Sequence, residues 1–207
     1  MNEGLETIVI QLQRSVEQLT KRVEKLEDEN TNLKKWISKE KKKVSVQQWL
    51  TDNWKPSTAY VTWQKNIEVS QRDLDNVFKH GVAIGTFYII QQYLPLGHHK
   101  TFPIVGFKQR GMVFYIYNED KWRVMEKDEL EGLVRSIDTK LFTSFAEWER
   151  ANPAIMAEPG RKQWNRNLKK ILLLPEKLEI IIKKIRNRLF QYLQMDLKNI
   201  TEYEFSF

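Results

Sequence analysis

A heptad repeat near the N-terminus sets the strongest limit on how this chain can fold. Apolar residues recur at intervals of three and four, with leucine at every d position and β-branched residues at all but one a position. One helix cannot bury such a seam by itself, so the repeat predicts a coiled coil. The predicted oligomerisation seam is Leu5, Val9, Leu12, Val16, Leu19, Val23, Leu26, Asn30, Leu33 and Ile37.

Asn30 is the exception among the a positions, and it predicts the geometry of assembly. A buried Asn at position a costs stability but pairs with its counterpart in a parallel, in-register dimer. The flanking g and e′ positions agree, because Arg22 faces Glu27 of a second copy and Glu29 faces Lys34. We therefore expect a parallel homodimer. A trimer is one alternative, and a long amphipathic helix packed on its own domain is another.

The remainder of the chain is long enough for one sizeable core. We predict a coiled-coil segment at 1–38, a basic hinge at 39–57 with some local helix, and a compact domain at 58–207 that ends in basic helices. The predicted fold class is α+β: an N-terminal parallel coiled coil followed by a mainly helical domain with a small antiparallel sheet. Pro56 supports the hinge, because it discourages helix at the preceding residue.

The elements of the compact domain follow from periodicity and from turn residues. Alternation at 60–65 predicts a strand, although weakly. Ser70, with Asp73 at the capping-box position, begins a predicted helix that ends at Pro95. Aromatic and β-branched residues predict strands within 102–107, 112–117 and 121–125. Helical spacing then resumes near Lys127, and further helices are predicted near 161–173 and 176–198.

Basic residues are concentrated near the C-terminus. The chain carries a net charge of +7, and residues 160–198 hold 11 basic and 3 acidic side chains. On a regular helix, Lys177, Lys184 and Arg188 fall within an arc of about 40°. Such a face predicts an anionic partner, either nucleic acid or an acidic protein surface, while a solvated helix rim is the alternative. The candidate residues are Arg161, Lys162, Arg166, Lys169, Lys170, Lys177, Lys184 and Arg188.

Several classes of function lack their sequence signals. The chain has no cysteine, so it has neither a disulfide nor a thiolate metal site, and we expect an intracellular, reducing location. Phosphate-binding glycine loops, nucleophile elbows and zinc-protease motifs are missing. His98 and His99 are interpreted as part of a polar loop. We therefore expect no cofactor, no metal and no catalytic residue. We also expect no membrane insertion, because the apolar runs are far shorter than the about 20 residues that span a bilayer.

A stretch in the middle of the chain is similar to a known domain. The segment FPIVGFKQRGMVFYIYNEDKWRVMEKDELEGLVRSI, followed by FAEWERANP, resembles a C-terminal domain in uncharacterised proteins of nucleocytoplasmic large DNA viruses. In that family a coiled coil often precedes a short globular domain, and no catalytic motif is shared. Together with the heptads, the resemblance implies a non-enzymatic, homo-oligomeric structural or scaffolding protein of a virus particle or viral factory. The alternative is a sequence-independent nucleic-acid-binding protein that uses the C-terminal basic helices.

Overall fold

The structure, a computed structural model, describes residues 3–40, 42–94, 99–197 and 203–206, and the side chains within 9–35, 44–94 and 100–197. The chain divides into two units. The first comprises Met1–Val44 with Ile200–Ser206, and the second covers Ser45–Asn199 together with Phe207.

The described residues form eight α-helices and six strands. The helices are α1 (Glu3–Glu40), α2 (Val46–Asn53), α3 (Tyr60–Asn66), α4 (Gln71–His80), α5 (Val82–Gln92), α6 (Lys127–Ala151), α7 (Gly160–Ile171) and α8 (Pro175–Leu193). The strands are β1 (Lys42–Ser45), β2 (Ile104–Phe107), β3 (Arg110–Asn118), β4 (Lys121–Val124), β5 (Gln194–Met195) and β6 (Tyr203–Ser206). Within these ranges no helix combines the length and apolarity needed to cross a membrane.

The heptad repeat lies on the single helix α1. Strands β1 and β6 pair as a separate two-stranded sheet. Every described side chain of α1, from Val9 to Lys35, is exposed. The coiled coil itself stays a prediction.

The main sheet has four strands in the order β4-β3-β2-β5. Strands β2, β3 and β4 are antiparallel, as predicted. Strand β5 runs parallel to β2, with Gln194 opposite Gly106 and Met195 opposite Phe107. The sheet is therefore mixed, and the prediction of an antiparallel sheet was wrong in this respect. The last helix was predicted to reach residue 198, but α8 ends at Leu193, and a two-residue strand is too short to show a period of two.

The two faces of the sheet are buried by different helical layers. Phe114 and Ile116 belong to the main core, with residues from α3 to α8. Side chains alternate along a strand, so Tyr115 and Tyr117 lie on the opposite face, where both are buried as well. Both faces of β3 are therefore covered, which explains its run of aromatic and aliphatic residues.

Helix α2 packs against strand β4 on the second face. The indole Nε1 of Trp122 donates to the carbonyl of Trp54 at 2.9 Å. The ring centroid of Trp54 lies 6.4 Å from that of Phe107 and 5.6 Å from that of Trp49. The range that we assigned to a hinge, 39–57, thus contains a helix that is packed on the sheet. The second unit begins at Ser45 and therefore includes this helix.

The stretch that was predicted as a weak strand at 60–65 is the helix α3. Its buried residues are Tyr60 and Trp63, and Ile67 at the C-cap is also buried. These three positions follow helical spacing, so the apparent alternation was misleading. The Tyr60 hydroxyl donates to the carbonyl of Glu129 at 3.3 Å, and the Trp63 indole donates to the carbonyl of Tyr93 at 3.3 Å.

The helix that was predicted from Ser70 to Pro95 is two helices, α4 and α5. The predicted capping box is present, with Ser70 and Asp73 bonded reciprocally. The break occurs at Gly81, whose φ of +82° lies in a region that favours glycine. Gly85 was expected to permit close packing, and a Cβ there would lie 2.2 Å from Val77 Cγ2. Pro95 lies outside the described residues.

Candidate anion-binding groove

One face of α8 carries cations at helical spacing. Lys177, Ile181, Lys184, Arg188 and Gln191 follow one another at intervals of three and four residues, so they share a side of the helix. Ile185 and Leu189, on another side of α8, are buried against the core, so the face with the cations is directed outward. The three cations that were grouped from the sequence therefore do line one concave surface.

That surface, here called the basic groove, is formed by parts of four helices. It takes the face of α8, the C-terminal part of α7, and the junction between α4 and α5, and its volume is about 720 Å³. The residues lining it are His80, Gly81, Val82, Ala83, Ile84, Lys169, Lys170, Leu172, Leu174, Lys177, Ile181, Lys184, Asn187, Arg188 and Gln191. Five of them are cationic and none is acidic, which leaves the groove strongly positive.

The cations of the basic groove are not neutralised by neighbouring carboxylates. Among the described residues, no Asp or Glu oxygen lies within 4.0 Å of any of the five. Of the five, Lys170 alone bonds to described residues: its Nζ donates to the carbonyls of Phe78 and Lys79, the latter at 3.2 Å. Lys170 thereby caps the C-terminus of α4 and fixes α7 beside it, while its charge remains at the groove.

The first turn of α5 adds to the positive potential. The initial N–H groups of an α-helix have no partner within the helix and carry partial positive charge. Helix α5 begins at Val82, and its N-cap residue, Gly81, provides no side-chain cap. Its first residues, Val82 to Ile84, line the groove together with the five cations. The helix start and the side chains therefore favour the same sign of ligand.

Three of the eight sequence candidates lie outside the groove. Arg161, Lys162 and Arg166 are exposed on the N-terminal part of α7 and do not line it. Two other cations of α8, Lys183 and Arg186, line a second hollow beside β3, where Arg186 Nε donates to the carbonyl of Met112 at 3.1 Å. The basic residues near the C-terminus thus comprise five that converge on the groove and several that lie apart from it.

The predicted seam residues share one helix and are accessible. Their apolar members within Val9–Leu33 are 49–61% exposed, and Asn30 is exposed as well. Leu5 and Ile37 lie on α1, but their side chains fall outside the described residues. A helix with this much exposed Leu and Val presents a surface that a partner helix can bury.

Among the described residues, the titratable groups with shifted pKa values do not line the groove. Bonding to the Arg123 guanidinium lowers the pKa of Glu129. Burial raises the pKa of Asp138 to about 6. Within the described ranges, no group of three His, Asp or Glu side chains could hold a metal ion. His98, part of the predicted polar loop, lies outside the described residues, as does the side chain of His99.

Sequence reasoning missed the contribution of the α4–α5 junction to this site. His80 and the first turn of α5 are separated from α7 by about 80 residues of chain, so charge counting could not bring them together. The one available signal was Gly81, a helix breaker after a predicted amphipathic stretch. No protein-family model matches this chain, and neither a curated protein nor a solved structure is significantly similar to it.

Proposed function

We propose that this protein binds nucleic acid, without sequence preference, through the basic groove. The observation that supports the proposal is the convergence of five cations from α7 and α8 on one concave surface, which none of the described acidic residues lines. Cations that only solvate a helix rim would point separately into water. Here they share a groove, so a chain of phosphates can approach several of them together.

The expected binding is electrostatic. Each phosphate that a Lys or Arg neutralises releases condensed counterions, and log affinity for duplex falls with log salt at about 0.9 per contact. Five contacts correspond to a slope of about −4.5 for duplex and about −3.5 for a single strand. Lysines act as point charges and carry no base information by themselves, so sequence preference is not expected.

A matched pair of variants tests this proposal. The first replaces Lys177, Lys184 and Arg188 with Gln, and the second replaces Arg161, Lys162 and Arg166 with Gln. Both remove three positive charges from the same end of the chain, but only the first set lines the basic groove. Fluorescence anisotropy with labelled oligonucleotides across a salt series measures affinity and slope.

For duplex, the slope of log affinity against log salt should become less steep by about 2.7 in the groove variant. The matched variant should keep the wild-type slope. If both variants lose affinity equally, net charge and not the groove is responsible. If wild type binds neither duplex nor single strand at low salt, the nucleic-acid proposal fails. An acidic protein surface is then the remaining partner for the groove, and polyglutamate in the same assay detects it.

A second proposal is self-association through α1. The exposed Val and Leu residues at the a and d positions support it, and the parallel homodimer follows from Asn30. A dimer would join two basic grooves and raise the effective concentration of each for one nucleic-acid strand. The structural or scaffolding role in a virus particle or viral factory, which the resemblance implies, also depends on this association.

Light scattering of the full chain at micromolar concentration tests the oligomer. A dimer is expected, and a monomer would contradict the assignment of the seam. Scaffolding and nucleic-acid binding also separate experimentally, because scaffolding through α1 depends little on salt, whereas binding in the groove depends strongly on it.

A further inference from the structure

An exposed aromatic side chain lies beside the basic groove. Tyr88 is 36% exposed, and its ring centroid is 6.1 Å from that of His80, at an interplanar angle of 78°. His80 lines the groove, and so does Ile84, which precedes Tyr88 by one turn of α5. Tyr88 is therefore at the edge of the same surface that carries the five cations.

The exposure of Tyr88 sets it apart from the other aromatic residues. Among the described Phe, Tyr and Trp side chains, it alone is exposed; the others are buried or half-buried. Its hydroxyl makes no hydrogen bond with the described residues, unlike those of Tyr60, Tyr93 and Tyr192, which bond to backbone groups. The ring contacts His80 and the buried Phe87, whereas no described residue holds the hydroxyl.

We propose that the basic groove takes single-stranded nucleic acid, with the backbone along the cations and one base stacked on Tyr88. The inference rests on the proposed function and specifies its ligand. In a duplex, the base faces are already stacked against each other and cannot reach a protein ring. A single strand offers free base faces, and stacking on an aromatic ring adds affinity without reading sequence.

The arrangement has the two parts that such binding needs. The cations of α8 and α7 follow the phosphates, and the ring of Tyr88 receives a base. His80 meets Tyr88 edge to face, which holds the phenol ring in position, and 36% of the residue remains exposed. An acidic peptide would use the same cations but gains little from the ring.

The test compares Tyr88→Ala with Tyr88→Phe, and a single strand with a duplex of the same sequence. We expect Tyr88→Ala to weaken single-strand binding roughly 5- to 100-fold, while duplex affinity and the salt slope stay unchanged. Tyr88→Phe should keep the wild-type affinity, because stacking needs the ring and not the hydroxyl. Val61→Ala, at another exposed apolar side chain, is the control for lost surface area.

An oligonucleotide with abasic sites separates stacking from a structural effect. Removing the bases should cost wild type the same factor as Tyr88→Ala does, and it should cost Tyr88→Ala nothing further. The inference is overturned if Tyr88→Ala weakens single strand and duplex equally, or if it changes neither. If Tyr88→Ala changes neither affinity, but wild type binds single strand and duplex with the predicted salt slope, the proposed function is retained. If wild type binds neither single strand nor duplex, the proposed function itself is wrong.

Discussion

The close approach of α4 and α5 leads to a prediction whose size can be worked out from distances. A Cβ at Gly85 would lie 2.2 Å from Val77 Cγ2 and 3.1 Å from Val77 Cα. Carbon atoms in contact are normally about 3.5 Å apart or more. Gly85→Ala therefore forces the two helices apart by roughly 1.3 Å, because buried Val77 is β-branched and cannot easily turn away.

The net effect follows from two opposing terms. Overpacking of this kind costs about 1–3 kcal/mol, and the upper part of that range applies because the backbone of Val77 is also close. Alanine regains about 1 kcal/mol of helix propensity. Gly85→Ala should therefore lower the free energy of unfolding by about 2 kcal/mol. Gly132→Ala, in the middle of α6 with nothing within 4 Å of its new Cβ, should raise it by up to about 1 kcal/mol.

Urea unfolding followed by tryptophan fluorescence measures both variants. Six of the seven tryptophans belong to the second unit, so the signal reports mainly on that unit. In a thermal melt, the same free energies correspond to a loss of about 4–8 °C for Gly85→Ala and a gain of about 2–4 °C for Gly132→Ala. If Gly85→Ala were as stable as Gly132→Ala, the close packing of α4 on α5 would be refuted.

Three further predictions concern the seam and two carboxylates. If α1 forms the proposed coiled coil, Asn30→Ile should stabilise it and shift its mass from dimer towards trimer in light scattering, and an unchanged mass and stability would contradict the proposed pairing of Asn30. Asp138→Asn should stabilise the second unit by about 1 kcal/mol at pH 7, a value reduced for partial exposure. Since the folded-state pKa of about 6 lies above the unfolded one, wild type gains stability as pH falls from 7 to 4, and urea unfolding should show the advantage vanishing by pH 4. Glu129→Gln removes the carboxylate charge that accepts from Arg123 Nη1 at 2.8 Å, and this should cost about 1–2 kcal/mol at pH 7. Because the pKa of Glu129 is lowered on folding, that cost should shrink below pH 4, and a pH-independent cost would refute the ion pair.

Features that depend on a few neighbouring residues were determined by the sequence alone. The capping box of Ser70 and Asp73 and the long helix with its heptads follow from local spacing. The hairpin between β3 and β4 does too: its turn residues Glu119 and Asp120 have φ values of 48° and 59°. In each case the atoms that interact lie within one or two turns of chain, so the pattern carries the information.

Tertiary structure determined the secondary structure of segments whose local patterns were weak or ambiguous. Helix α3 was predicted as a strand. Over only six residues, an alternating pattern and a helical pattern differ in the position of the apolar residues by one place, so the two are hard to tell apart. Helix α2 looked like part of a hinge, since Trp49 and the following Trp54 are buried only once strand β4 is beside them. Strand β5 exists because β2 offers it an unpaired edge.

The candidate site divides in the same way. That Lys177, Lys184 and Arg188 share a face is a property of helical spacing, and the sequence determined it. That they meet Lys169, Lys170 and the first turn of α5 depends on helices separated by about 80 residues of chain packing together. The exposure of Tyr88 beside His80 depends on the break at Gly81. Charge patterns identify which residues can bind an anion, whereas only packing determines which of them act on the same one.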